Sequence, residues 1–269
     1  MPRPHDSTTI LSLLVLVAAC DSKRDERDEK PNADGAAQRI EAAVENEVQK
    51  AEREFGLDSK TLRKRTCDLL TAEMVADGFG LNASDLEQTK IVGCGYTWKG
   101  NEEVVEARIL MPQVHASTAA AKKWFEGATA NRTKEELAAQ MDRITKKAQE
   151  HEKIDTKSKK RTTKKVGGLM KMAIPEEGIS YENLPGIGDE ARIASNDGTA
   201  IVRVGNVTFR LSAYRCKEKP KVDIVSTDPK KLMARTMEIE HKWVAETMDA
   251  RRKGVAMLGP KVVEKLKTL

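Results

Sequence analysis

Apolar residues at helical spacing predict two amphipathic helices. The first covers residues 36–56 and ends at Gly56, and the second follows a capping box from Thr133 to Glu136. The apolar stripes consist of Ile40, Val44, Val48, Ala51 and Phe55 in the first helix and of Leu137, Met141, Ile144 and Ala148 in the second. Such narrow stripes either pack within a domain or form a coiled-coil contact with another chain, and both interpretations stay open.

A period of two replaces the helical period in two other segments and predicts two β-hairpins. The first turns at Lys99-Gly100-Asn101 and is closed by Pro112, and the second turns at Gly205-Asn206. The residues that share a face are Val92, Cys94, Tyr96 and Trp98 with Val105, Ala107, Ile109 and Met111 in the first hairpin, and Val202 and Val204 with Val207, Phe209, Leu211 and Ala213 in the second.

A helix follows each hairpin. Ser117 or Thr118 can cap the first of these helices, which carries Ala121, Trp124 and Phe125. Asp228-Pro229 opens the second helix, which covers residues 230–252 and has an apolar face wide enough to lie on a sheet. We therefore expect an α+β fold in which helices pack on one antiparallel sheet built from two hairpin-plus-helix halves.

These elements predict one α/β domain over residues 57–255, with a helical basic insertion at 131–165 and a C-terminal tail at 256–269. The first amphipathic helix precedes this domain. Residues 20–35 are rich in charge and carry no large apolar side chain, so they cannot bury enough surface to fold. We expect them to form a flexible tether.

The apolar run from Ile10 to Ala19 is too short to span a membrane, which takes about 20 residues. Arg3 supplies a positive charge before the run, and small residues end it, as in a signal peptide over residues 1–19. Val17-Ala18-Ala19-Cys20 resembles the lipobox of bacterial lipoproteins. The resemblance implies cleavage before Cys20, diacylglycerol on its thiol and attachment to a membrane of the cell envelope. The alternative is an ordinary secretory signal in which Cys20 is incidental.

Charge and composition limit the partners. The chain carries a net charge of +5, with 33% charged and 4% aromatic residues. This excess is too small to indicate nucleic-acid binding, and an exported protein rarely meets nucleic acid. We therefore expect no nucleic-acid partner.

A second resemblance covers roughly residues 62–250. Cys67-Asp68-Leu69-Leu70-Thr71, Cys94-Gly95-Tyr96-Thr97-Trp98 and Gly186-Ile187-Gly188-Asp189-Glu190-Ala191 look like blocks of an uncharacterised family of exported bacterial lipoprotein domains. The resemblance implies a compact α/β domain with helices on an antiparallel sheet, and the family has no established activity. The basic insertion after Trp124 departs from the family pattern.

Besides Cys20, three cysteines allow at most one intrachain disulfide. Cys67 precedes a helix, Cys94 lies in the first hairpin, and both occupy the family's cysteine positions, so the expected pair is Cys67–Cys94. Closing that loop should contribute about 3 to 4 kcal/mol in the chain-entropy model. We expect Cys216, at the end of a strand, to be a buried thiol.

Other motif matches favour structural roles. Gly186 to Ala191 matches the Gly-x-Gly-x-x-Ala string of dinucleotide-binding folds, but two carboxylates would face the pyrophosphate, so a structural turn is favoured. Asp189 and Glu190 could pair as acid and base, although such a pair more often sits in a turn. The histidines at 115, 151 and 241 match no ligand or triad spacing. We expect no metal, no cofactor and no catalytic residue.

The segment at 156–165 holds six basic residues and no acid, and like charges at this density favour an exposed arm. The six residues are Lys157, Lys159, Lys160, Arg161, Lys164 and Lys165. The segment is either a solvated loop or a contact for anionic envelope material such as phospholipid headgroups.

The sequence as a whole favours a lipid-anchored cell-envelope protein with a noncatalytic binding or structural domain. The expected partners are the membrane, reached through the lipid anchor, and an anionic envelope surface or another envelope protein. Two alternatives stay open. One is an envelope hydrolase or other enzyme whose site the spacing does not reveal, and the other is a sensor or accessory subunit that binds a small ligand.

Overall fold

The computed structural model describes residues 58–89, 93–150, 166–168, 170–171, 173–222 and 228–269. The expected signal peptide (1–19), tether (20–35) and first amphipathic helix (36–56) lie outside these residues. The basic run lies outside them as well.

The chain groups into two compact units. Of the described residues, the larger unit contains 58–89, 93–130, 180–221 and 240–269. The smaller unit contains the described residues of 131–179 and 222–239, and therefore the described part of the expected insertion.

A seven-stranded antiparallel sheet forms the centre of the larger unit, and its strand order is β1-β2-β3-β7-β6-β5-β4. The strands are β1 (Glu87–Thr89), β2 (Cys94–Lys99), β3 (Glu103–Val114), β4 (Tyr181–Asn183), β5 (Glu190–Ala194), β6 (Ala200–Val204) and β7 (Val207–Lys217). The predicted α+β class with helices on an antiparallel sheet is confirmed. The halves consist of β1–β3 followed by a helix and β4–β7 followed by a helix, and they meet where β3 pairs with β7.

One side of the sheet, here called the core face, carries the period-two apolar residues. Cys94, Tyr96 and Trp98 lie opposite Ile109, Ala107 and Val105, as the pattern of the first hairpin predicts. Val202 lies opposite Phe209 and Val204 opposite Val207, as predicted for the second hairpin. Burial of these side chains forms the main hydrophobic core.

The prediction that Pro112 closes the first hairpin is wrong. Strand β3 continues to Val114, and the register with β7 shifts between Leu110 and Gln113. A proline has no N–H for a β ladder, so it is tolerated within a strand mainly at an irregularity of this kind. The sequence pattern marks the interruption and not the end of the strand.

Three short helices precede the sheet and pack on its core face: α1 (Ser59–Lys64), α2 (Thr66–Leu69) and α3 (Ala72–Phe79). Their contribution to the core is apolar and fully buried, and it consists of Leu62, Leu69, Leu70 and Val75. Helix α4 (Thr118–Ala128) follows β3, and the Ser117 hydroxyl caps it by accepting from the Ala120 N–H at 3.1 Å.

Helix α5 (Lys134–Glu150) belongs to the smaller unit. Its predicted capping box is confirmed, because the Thr133 N–H donates to the Glu136 carboxylate at 2.9 Å and the Glu136 N–H donates to the Thr133 hydroxyl at 3.3 Å. In the same unit Arg132 and Ile179 form an isolated antiparallel bridge.

The last helix, α6, runs from Pro229 to Lys267. It begins at the predicted proline but does not end at residue 252, and the expected tail at 256–269 is almost entirely helical. The apolar residues that join the main core come from this second half, and they are Val255, Leu258, Val262, Val263 and Leu266. Of the apolar face predicted to lie on the sheet, Trp243, Val244 and the partly buried Met248 pack against Tyr214 of β7 in a second, smaller cluster.

Tertiary contacts explain why α6 continues past residues that usually end helices. A side chain at Gly254 would collide with the Ala213 carbonyl oxygen of β7, and a Cβ at Gly259 would lie 2.7 Å from the Ile187 side chain. Both glycines therefore allow close packing of the helix. Pro260 is exposed, so its ring faces solvent, and burial of the flanking residues offsets the cost of about 3 kcal/mol of an interior proline.

The opposite side of the sheet is here called the arginine face. Side-chain alternation places four arginines on it, one each from β3, β5, β6 and β7, and these are Arg108, Arg192, Arg203 and Arg210. Helix α4 packs on this face, where the Arg192 guanidinium lies 5.2 Å from the centre of the Phe125 ring. Within the described residues, no helix is both long enough and apolar enough to cross a membrane.

Candidate functional site

The structure describes only part of the residues that the sequence singles out. Cys20 lies outside the described residues, and so do Lys157, Lys159, Lys160, Arg161, Lys164 and Lys165. The lipidation site and the contact with an anionic surface therefore stay predictions. Cys67 and Cys94 lie within the described larger unit.

Cys67 on α2 and Cys94 at the start of β2 lie at disulfide distance, with their Cα atoms 5.0 Å apart. The pair connects the short helices that precede the sheet to a strand near the sheet edge. The two residues differ in exposure, since Cys94 is 0% exposed and Cys67 is only partly buried. One side of the disulfide therefore belongs to the core and the other reaches the surface.

A cleft of about 330 Å³ opens beside Cys67. Its walls come from the segment between α1 and α3 and from the end of α6, and they consist of Arg65, Cys67, Asp68, Thr71, Lys265, Thr268 and Leu269. Arg65 donates from Nε to the Asp68 carboxylate at 2.8 Å and from Nη1 to the Leu269 main-chain oxygen at 3.4 Å. Arg65 thus links the two walls.

Local capping fixes the wall formed by the short helices. The Asp58 carboxylate caps α1 by accepting from the Thr61 N–H at 2.7 Å, and this hydrogen bond lowers the pKa of Asp58. The Thr71 hydroxyl caps α3 by accepting from the Met74 N–H at 3.3 Å. Since Thr71 also lines the cleft, the cap sets the position of one wall.

The Gly-x-Gly-x-x-Ala segment forms a structural turn. Arg203 of β6 donates from Nε to Glu190 at 2.7 Å and from Nη1 to Asp189 at 2.9 Å, and Asp189 also accepts from the Gly205 N–H at 2.7 Å. Ile187 is 2% exposed and belongs to the main core. Both carboxylates therefore hold the β5–β6 hairpin together, in agreement with the structural interpretation of this segment.

His115 is buried in a structural contact on the arginine face. Its Nε2 lies 2.8 Å from the Thr208 hydroxyl, and its ring centre lies 5.4 Å from that of Trp124. Burial lowers the pKa of His115 from 6.5 to about 4. The imidazole is therefore neutral at pH 7 and joins the end of β3 to β7. His241 lies half-buried on α6, and His151 is outside the described residues.

A cation-aromatic cluster, here Arg251, Tyr214, Trp243, Glu106 and Thr247, lies beside β7. The Arg251 guanidinium is 4.1 Å from the Tyr214 ring centre and 4.7 Å from that of Trp243. It donates to the Thr247 hydroxyl at 3.1 Å and to the Asp197 carbonyl oxygen at 3.0 Å. The Tyr214 hydroxyl donates to Glu106 at 2.9 Å.

Burial shifts the pKa values of two titratable groups at this cluster. Burial raises the pKa of the Tyr214 hydroxyl well above its usual value, and the Glu106 carboxylate raises it further. Burial also raises the pKa of the Cys216 thiol, which packs against the cluster. Cys216 is partly exposed and not the buried thiol that the sequence predicts, because it lies near the end of β7.

Two groupings were not foreseen from the sequence. The cleft joins Arg65 to Lys265, and the cation-aromatic cluster joins Glu106 to Arg251, so both unite residues far apart in the chain. The alternation of polar with apolar residues, as in Arg210, Ser212 and Tyr214 on β7, was a signal for a polar second face. Among the described residues, no three His, Cys, Asp or Glu side chains are grouped to hold a metal ion.

No family model, no curated protein and no solved structure matches this chain. The resemblance of the Cys67–Thr71 and Gly186–Ala191 blocks therefore stays an interpretation of short motifs. Function has to be argued from the geometry of the chain itself.

Proposed function

We propose that the protein is a bacterial lipoprotein, anchored in the cell envelope through Cys20, with a folded domain that acts as a noncatalytic binding or structural module. The lipobox-like residues 17–20 support the anchor. The Cys67–Cys94 pair at disulfide distance supports an oxidising compartment outside the cytoplasm, because disulfides rarely persist in cytosolic proteins.

One observation carries the noncatalytic part of the proposal: the acid-base groups at the β5–β6 hairpin, at the end of β3 and in the cation-aromatic cluster are held in contacts within the fold. Asp189 and Glu190 bind Arg203, and His115 contacts Thr208. Tyr214 donates to Glu106. These side chains connect strands and helices to each other, as expected in a domain selected for a fixed surface.

Small-ligand binding is the second candidate function. The cleft of about 330 Å³ beside Cys67 supports it, since this volume lies at the lower end of the range for small-molecule sites.

Lipid anchoring is tested by the change Cys20→Ser, because only a thiol can accept the thioether-linked lipid. We expect the wild-type protein to enter the detergent phase in a partitioning experiment and the variant to stay aqueous or unprocessed. Cys216→Ser is the matched control and should partition like the wild type. Equal detergent partitioning of the Cys20→Ser protein would contradict the anchor.

The basic run is tested on the unlipidated chain with vesicles of anionic phospholipid. Changing all six basic residues at 157–165 to Gln should weaken binding, because each is worth about 1 kcal/mol near a negative surface before screening. The binding should also fade as added salt shortens the Debye length from about 10 Å at 0.1 M to about 3 Å at 1 M.

A charge-matched control removes six exposed basic residues from the larger unit by changing Lys60, Arg63, Lys64, Lys122, Lys123 and Lys253 to Gln. If both sextuple variants bind anionic vesicles equally at low salt, the run is a solvated arm. The melting temperature of the variant in the run should stay close to that of the wild type.

A further inference from the structure

Helix α1 of the larger unit carries an exposed basic surface, here called the α1 surface. It consists of Lys60, Arg63 and Lys64. All three residues are exposed, and none of them forms an ion pair with a described carboxylate. The neighbouring Arg65 does not belong to this surface, because the Asp68 carboxylate and the Leu269 main-chain oxygen already engage it. The α1 surface therefore offers three cations to an acidic partner.

The chain enters the larger unit directly beside this surface. Helix α1 begins at Ser59, and only Leu57 and Asp58 separate it from the helix that the sequence predicts over residues 36–56. Two helices joined by a loop of about two to five residues lie antiparallel in a helical hairpin. So short a connection also holds the two helices at a high effective concentration. The predicted helix is therefore the segment of this chain best placed to cover the α1 surface.

The charge of the predicted helix matches that of the α1 surface. Residues 36–57 contain five glutamates and three basic residues, an excess of two negative charges. At about 100° per residue, three of the glutamates fall along one flank of the apolar stripe, here called the acidic flank. They are Glu41, Glu45 and Glu52. The basic residues Arg39, Lys50 and Arg53 fall on the side of the helix opposite the stripe.

We propose that residues 36–56 form a helix that folds back on the α1 surface as one arm of a helical hairpin. The acidic flank faces the three cations of the α1 surface. The apolar stripe packs against the methylene stems of the same lysine and arginine side chains, which cover apolar surface while their charged ends stay in water. The proposal assigns the narrow stripe to packing within this chain and not to a coiled coil with another chain.

Docking of this helix sets how far the larger unit can move from its anchor. With residues 36–56 docked, residues 21–35 are the only spacer between Cys20 and the folded part. A flexible chain of that length has a root-mean-square end-to-end distance of about 20 Å. This consequence rests on the proposed lipid anchor, whereas the docking itself does not.

Backbone amide hydrogen exchange of the unlipidated chain tests the docking. The protection of residues 40–55 is expressed relative to the urea-unfolded chain, which corrects for the intrinsic exchange rate of each sequence. An isolated helix of this length is only marginally stable in water, so strong protection requires a docked partner.

Three variants are compared with the wild type. The reversal variant carries Glu41→Lys, Glu45→Lys and Glu52→Lys. The swap variant adds Lys60→Glu, Arg63→Glu and Lys64→Glu to these changes. The matched control makes the same change of charge in the expected tether, outside the predicted helix, with Asp21→Lys, Asp25→Lys and Asp28→Lys.

At low salt we expect residues 40–55 to exchange at least about tenfold more slowly in the wild type than in the reversal variant, which is the combined effect of three exposed ion pairs. The swap variant should regain most of this protection, and the tether control should behave like the wild type. Added salt should weaken the protection, because it screens exposed charges. Tenfold dilution of the protein should leave the protection unchanged, because the contact lies within one chain.

Equal protection in the wild type and the reversal variant would overturn the proposal, and so would a swap variant that stays unprotected. Protection that falls on dilution would assign the stripe to pairing between two chains instead. None of these results bears on lipid anchoring, because the measurement uses the unlipidated chain.

Discussion

The two faces of the sheet are stabilised by different chemistry. The core face is covered by α1–α3 and the second half of α6 through apolar contacts. On the arginine face, α4 and residues 243–251 of α6 are held largely by specific contacts of cations, rings and hydroxyls. The free energy of apolar contacts depends on the buried area and on how well the volume is filled. The free energy of the contacts on the arginine face depends on individual pairs of groups.

Two adjacent arginines of α6, Arg251 and Arg252, show how a specific contact depends on burial. Arg251 is 4% exposed and is held by ring faces and neutral oxygens, and no ion pair with a described carboxylate is found for it. Arg252 has two carboxylate partners, Glu182 at 2.6 Å and Asp249 at 2.9 Å, but its side chain is 38% exposed. Burial, and not the number of ion pairs, should decide which arginine matters more for stability.

The largest effect is expected on the core face. Leu258→Ala removes a fully buried side chain from the main core and should lower the free energy of unfolding by about 3 to 5 kcal/mol through lost transfer energy and the cavity left behind. Urea denaturation measures this change. The exposed control Lys261→Ala should shift it by less than about 0.5 kcal/mol. A loss below about 1 kcal/mol for Leu258→Ala would mean that α6 does not pack here.

An intermediate effect is expected from pH on the arginine face. The folded pKa of His115 is about 4 against an ordinary value of 6.5, so the unfolded chain binds the proton first as pH falls. His115 therefore makes its full contribution to the free energy of unfolding above pH 6.5, and this contribution is lost as pH falls toward 4. About 2 kcal/mol should be lost between pH 7 and 5.

The measurement is the difference in unfolding free energy between pH 7 and pH 5 for the wild type and for His115→Gln. The variant should lack about 2 kcal/mol of the pH dependence, because a glutamine does not titrate. His241→Gln is the control that removes a histidine without touching Thr208. Identical pH profiles for His115→Gln and the wild type would show that His115 is not buried as a neutral ring.

The smallest effect is expected from replacing each of the two adjacent arginines. Arg251→Leu should lower the free energy of unfolding by about 1 to 2 kcal/mol, since it removes two cation-ring contacts and two hydrogen bonds. Arg252→Leu, which removes two exposed ion pairs, should cost less than about 1 kcal/mol. The reverse order in urea denaturation would contradict the view that burial outweighs ion pairing here.

The sequence predicts the core face well, because its signals are periodic or local. The alternation in β2, β3, β6 and β7 fixes the strand faces, and the caps Ser117 and Thr133 begin helices where expected. Prediction fails where a distant contact overrides a local signal. Pro112 interrupts β3 without ending it, and α6 continues past its predicted end at residue 252, because packing against other elements stabilises the continuation.

The candidate site was accessible from the sequence only in part. The Cys67–Cys94 pair was expected through the resemblance of two short cysteine blocks. The cleft beside it depends on Lys265, which lay in the expected tail, and on Arg65, which no motif marked. No local sequence pattern links Arg65 to Lys265, which are separated by most of the chain. Their proximity therefore follows from the fold alone.

The contact of Gly254 with Ala213 also sets a length constraint on α6. Each residue of an α-helix turns it by about 100° and advances it by about 1.5 Å. One residue inserted between Arg251 and Gly254 would leave Gly254 seated against β7 but rotate Arg251 by about 100°, away from the Tyr214 ring. Seven inserted residues would restore the direction of Arg251 but displace it by about 10 Å. The spacing between this arginine and this glycine is therefore fixed by two contacts that act together.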